Sequence, residues 1–173
     1  MAQENEVPSE LLIKRHRAAS TAVVGVFVLT LLLLAIVNLG RAAFAYPRVK
    51  DPALAYGLWI AILVFGLGAV AYRRTKFSPV RLQAIAGLRG VDGLLAALQR
   101  TTIMVALLGG LIALMGFMSA YLMGEPTDMN YAGVIAIAVL LYCYPRRAAW
   151  QRTVEELQPA GAENFSPANG ETA

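Results

Sequence analysis

Long apolar runs separated by short clusters of charge organise this chain. Ala18–Gly40, Pro52–Tyr72 and Thr101–Gly124 contain no Asp, Glu, Lys or Arg, and Met129–Pro145 is a shorter stretch of the same kind. A bilayer core of about 30 Å takes roughly 20 apolar residues in helix, because a helix satisfies its own backbone hydrogen bonds where no water reaches them. A core helix of a water-soluble protein keeps a polar face. Runs such as FVLTLLLLAIVNL have none. The pattern therefore predicts an all-α integral membrane protein with four transmembrane helices, over about 18–40, 52–72, 101–124 and 129–145. They lie in a domain of residues 18–152 that follows an N-terminal segment, 1–17.

Between the second and third spans the pattern changes period. Leu82, Ile85, Leu88, Val91, Leu94, Leu95 and Leu98 recur every three or four residues, with Arg81, Arg89, Asp92 and Gln99 between them. Segment 78–100 thus reads as an amphipathic helix in the cytoplasmic headgroup layer, basic side toward anionic lipid, with Gly87, Gly90 and Gly93 placed to break or kink it. A helix packed on the bundle satisfies the same pattern. From Thr153 the chain turns acidic, Pro/Gly-bearing and poor in aliphatics, so 153–173 is expected to be a disordered cytoplasmic tail.

The two halves also echo each other. Leu11-Leu12 and Arg17 recur as Leu94-Leu95 and Arg100; Asp51-Pro52 before Tyr56-Gly57 recurs as Glu125-Pro126 before Tyr131-Ala132-Gly133; Arg73-Arg74 recurs as Arg146-Arg147. The expectation is two repeated parallel helical hairpins related by an axis near the membrane normal. Asp51 would cap the second span with Pro52 in its first turn, and Thr127 or Asp128 would cap the fourth.

Composition agrees with the pattern: 58% of the residues are hydrophobic and 15% charged. The bases flank the spans and do not form one soluble face, which argues against nucleic acid as a partner. Lys14, Arg15 and Arg17 precede the first span. Arg73, Arg74, Lys76, Arg81, Arg89 and Arg100 lie between the second and third, and Arg146, Arg147 and Arg152 follow the fourth. The other side holds only Arg41, Arg48 and Lys50. Bases at span ends stay on the cytoplasmic side, so both termini are expected there, in a multi-pass protein of a bacterial inner membrane. An export signal ending near Ala43-Phe44-Ala45 is the rival reading, but the apolar run is too long for an h-region and Arg41 interrupts the approach.

Chemistry is scarce. An ionisable side chain at mid-membrane marks a functional site by default, and none falls inside these runs. That weighs against proton-coupled pumping, sodium coupling through a buried carboxylate and di-metal oxidation. One cysteine, Cys143, and one histidine, His16, leave no CxxC motif and no bis-His haem. No catalytic centre, metal or cofactor is expected. Thr30 and Ser119 read as packing residues, Asn38 as solvated or bonded to a neighbouring helix, His16 as one more basic flank, and Glu125 with Asp128 as a helix start.

Two surfaces remain. Gly109, Ala113, Gly116, Ala120 and Gly124 recur at three or four residues and form a small-residue stripe on the third helix. In lipid, such stripes let backbones approach closely. Gly57 and Ala61, or Ala132 and Ala136, are the expected partners within the chain, and another subunit is the alternative. Arg73, Arg74, Lys76, Arg81, Arg146 and Arg147 leave the bilayer on one side and form a candidate surface for anionic lipid headgroups or an acidic partner. Packing surfaces, basic flanks and a flexible tail without a reaction centre suit a non-catalytic accessory, assembly or scaffold subunit that meets a membrane protein partner. A small oligomeric transporter or channel is the alternative, and an enzyme at the headgroup layer a weaker one.

Overall fold

In a computed structural model, which describes residues 6–40 and 51–162, every regular element is a helix. These are α1 (Glu6–Leu39), α2 (Pro52–Lys76), α3 (Pro79–Met123), α4 (Pro126–Cys143) and α5 (Arg147–Ala162). Four helices are long and apolar enough to cross a membrane. Many large apolar side chains face outward, among them Ile60, Leu63, Val64 and Leu67 on α2 and Val134 and Leu141 on α4. On a water-facing surface such patches would aggregate; against lipid tails they match their surroundings.

Helix directions alternate, as pairs of touching residues show. Asn38 of α1 meets Asn130 of α4, whereas Ser20 meets Tyr144. Gly66 of α2 lies against Ile112 of α3 and Ile135 of α4. The start of α1, the end of α2, the start of α3, the end of α4 and all of α5 therefore share one end of the bundle. That end carries the bases, and we call it the basic end. Arg41, Arg48 and Lys50 lie outside the described residues.

The α3–α4 pair is the centre of the bundle. Both α1 and α2 pack on it, from different sides, and have little or no contact with each other. The sequence-level echo between the halves is not matched in packing: the second hairpin is closed and the first is splayed across its partner. The residues buried on α1 run Leu12, Ala19, Val23, Thr30, Leu33 and Val37, a stripe spaced by three, four and seven residues. That spacing keeps one face toward a neighbouring helix.

Local signals explain the boundaries. Asp51 caps α2, its carboxylate accepting from the Ala53 N–H at 2.9 Å, with Pro52 in the first turn, as its sequence suggests. The cap residue of α4 is Glu125, ahead of Pro126, rather than Thr127 or Asp128. Gly124 ends α3 in the left-handed region (φ 69°), which a Cβ disfavours. Gly90, at φ 64° and ψ −169°, breaks α3. That conformation is essentially open to glycine alone. Of the three glycines placed to break this segment, Gly90 is the one that does so; the helix after it runs unbroken into the third span.

Two further segments pack at the basic end. The short helix of α3 before Gly90 and the stem after it pack inward at Leu82, Leu94, Leu95 and Leu98, against Leu12 and Ala19 of α1 and Trp150 and Val154 of α5. The segment is thus anchored on the bundle, with Val80 and Leu88 outward. The tail expected from Thr153 begins as helix, because α5 continues to Ala162 and buries Trp150 and Val154 one turn apart. Residues 163–173 lie outside the described residues.

Candidate functional site

Close packing sits on the small-residue stripe of α3. Gly109, Ala113, Gly116 and Ala120 are all buried. A Cβ on Gly116 would overlap that of Ala132, and one on Gly109 would lie 3.1 Å from a Leu140 methyl. The α3–α4 contact within the chain therefore occupies this stripe. Gly124, the fifth member, is the cap that ends the helix. Among the described residues, nothing lies within 4 Å of a Cβ built at Gly57 of α2; α2 instead docks through Ile62, Gly66 and Ala69. Two further glycines accept α1: Val26 fills the notch at Gly110, and Leu34 fills that at Gly133.

Polar side chains near the helix ends bond to other parts of the chain. Asn38 donates to the side-chain oxygen of Asn130 at 2.9 Å and to the Leu34 carbonyl at 2.8 Å. Ser119, fully buried, donates to an Asp128 carboxylate oxygen at 2.5 Å. Thr30 donates to the Val26 carbonyl in its own helix. At the basic end, Arg15 pairs with Asp92 at 2.7 Å and reaches Gln99 at 3.2 Å. His16 Nε2 donates to the Pro145 carbonyl at 2.8 Å while its ring meets Trp150 edge to face. His16 is thus a joint between α1 and the α4–α5 corner, not a mere basic flank. Pro145 lies in the link between α4 and α5, and its carbonyl takes this side-chain donor.

The six candidate basic residues all lie at the basic end, each in its own surroundings. Arg73 lies 4.5 Å from the centre of the Tyr142 ring and 5.5 Å from that of Phe77. Such stacking holds a guanidinium while leaving its edge to water or headgroups. Lys76 and Arg81 line a recess between α2 and the start of α3, together with Arg89 and Arg100. Arg147 lines a separate cleft with His16 and Arg17 on α1. Arg74 and Arg146 are exposed. The pairing of Lys76 and Arg81 with Arg89 and Arg100 depends on the break at Gly90, which folds the short helix back over the stem. Sequence spacing alone, read as one straight helix, does not bring these residues together.

Cys143 is buried and free, inside the bundle near Arg73, in keeping with a small apolar packing residue. Among the described residues no three His, Cys, Asp or Glu side chains cluster. No family model, curated protein or solved structure matches the chain, so its function has to be read from its own residues.

Proposed function

We propose that this chain is a non-catalytic accessory, assembly or scaffold subunit of a larger complex in a bacterial inner membrane, with both termini cytoplasmic. One observation carries this reading. The polar groups near the span ends join one helix to another: Arg15 to Asp92, His16 to Pro145, Asn38 to Asn130 and Ser119 to Asp128. Groups that handle a substrate are held open toward a cavity, whereas these are spent on joining the helices. The orientation rests on the basic end, since Lys and Arg at span ends are retained in the cytoplasm. There Arg73, Arg74, Lys76, Arg81, Arg146 and Arg147 offer charge to anionic headgroups or to an acidic segment of the partner.

Extraction in mild detergent tests the assignment. A membrane protein that co-purifies in fixed stoichiometry and is lost on disruption of the bundle supports it. A homo-oligomer that carries solute flux in vesicles overturns it in favour of a transporter or channel, and recovery only as an inert monomer from native membranes leaves the accessory reading without support. Orientation is tested separately by cysteine labelling of intact cells. A probe at Thr127 should react from outside and one at Ser78 should not.

A further inference from the structure

Four cations line the recess between the end of α2 and the bent start of α3: Lys76, Arg81, Arg89 and Arg100. Its volume is about 590 Å³, and among the described residues no carboxylate lines it. The nearest acid in sequence, Asp92, is engaged by Arg15 at 2.7 Å. Like charges repel, and their convergence here is imposed by the backbone. Gly90 turns the chain, and the Arg89 Cβ then occupies the space that a Gly93 Cβ would need. Arg89 is thereby carried over the same opening as Arg100. An anion bound among them offsets the repulsion that the fold creates.

Depth and lining identify the kind of anion. The recess opens between Tyr72, where the uncharged run of α2 ends, and Thr101, where that of α3 begins. This is headgroup level, just beyond the hydrocarbon. Its walls also include Ile85 and Leu88, and Leu88 is 86% exposed at the rim. A compact inorganic ion has no use for that apolar wall; an amphiphile does. We infer that this recess is a binding site for an anionic phospholipid, with the headgroup phosphate among Lys76, Arg81, Arg89 and Arg100 and the acyl chains left in the bilayer. The site does not depend on the existence of a partner subunit, so it stands or falls apart from the accessory role.

The full-length protein, purified in mild detergent and titrated with phosphatidylglycerol under native mass spectrometry, provides the test. A base at the membrane surface is worth about fivefold in binding. The double variant Arg89→Gln/Arg100→Gln should therefore bind this lipid about thirtyfold more weakly. Lys14→Gln/Arg17→Gln removes the same charge from exposed positions at the same end, outside the recess, and should bind as the parent does. Equal losses in the two variants would mean diffuse attraction to a basic surface and would overturn the site. Arg89→Lys/Arg100→Lys keeps the charge and should retain most of the binding; its failure to do so while eluting as the folded parent would also sink the idea. Phosphatidylcholine should not be retained. Displacement of bound phosphatidylglycerol by millimolar inorganic phosphate would reassign the recess to free phosphate and overturn the lipid assignment.

Discussion

Helices α3 and α2 are both apolar enough to span a membrane, yet half of the most apolar window of α3 is buried inside the protein and only 17% of that of α2. The difference lies in where small residues fall. On α3 and α4 they line up, so Gly116 faces Ala132 and Gly109 faces Leu140 at backbone-limited range. On α2 the contact narrows to Ile62, Gly66 and Ala69, and no described residue faces Gly57. Since lipid tails are as apolar as leucine, an apolar surface by itself gives no reason for helices to meet. Shape does. The same hydropathy therefore yields a central helix in one case and a peripheral one in the other.

Substitution of Gly116 by Leu should break the contrast at its strongest point. A side chain there has no space beside Ala132, and we expect a loss of about 3 kcal/mol in reversible unfolding from detergent micelles. The matched change Gly57→Leu should stay within about 0.5 kcal/mol of the parent. A comparable loss at both positions would mean that α2 packs as closely as α3. Next in size is Ser119→Ala, which leaves the Asp128 carboxylate short of its buried donor and should cost about 1.5 kcal/mol by the same assay. A double-mutant cycle between Asn38 and Asn130 should return a coupling of about 0.6 kcal/mol, the usual scale for an interhelical hydrogen bond in lipid. A coupling near zero would leave the second half of α1 held by the notches at Gly110 and Gly133 and not by this bond.

The smallest effect sharpens the comparison by sign. A Cβ on Gly66 would meet an Ile135 methyl at 3.5 Å, an ordinary contact. Gly66→Ala should therefore stabilise by about 0.5 kcal/mol through reduced backbone freedom in the unfolded chain. The same replacement at Gly116 must destabilise. Thermal melts of the two alanine variants, shifted in opposite directions, would confirm that closeness and not glycine content separates the helices.

The spans were legible because hydropathy reports membrane residence directly. Asp51-Pro52 at the start of α2 and glycine at the break in α3 were legible because each meets a backbone need that few residues satisfy. Helix partners were less so: Gly109 and Gly116 announce a close contact, but nothing in α2 tells Gly57 from Gly66 except the neighbour each one meets. The role of His16 was hidden because its acceptor, the Pro145 carbonyl, is a backbone atom far along the chain. The recess was hidden for a related reason. On a straight helix Arg89 and Arg100 share a face but lie three turns, about 16 Å, apart, and they converge only after Gly90 turns the chain. Helix α5 left a weak trace, Trp150 and Val154 at four-residue spacing, masked by the polar residues around them.

The splayed first hairpin has a consequence for how the protein is made. Translation delivers α1 and α2 to the membrane first, and these two have little or nothing to hold each other. The partners of α1 come later: Asp92 and Gly110 on α3, Asn130 and Gly133 on α4, and finally the Pro145 carbonyl and Trp150. Until α3 and α4 have been inserted, the early helices must each persist alone in lipid, which their uninterrupted apolar runs allow. Arrest of synthesis after α2 should therefore leave two independently mobile helices open to capture by other membrane proteins or by degradation. Completion of the last corner, where His16 meets the end of α4, is what closes the chain on its own beginning.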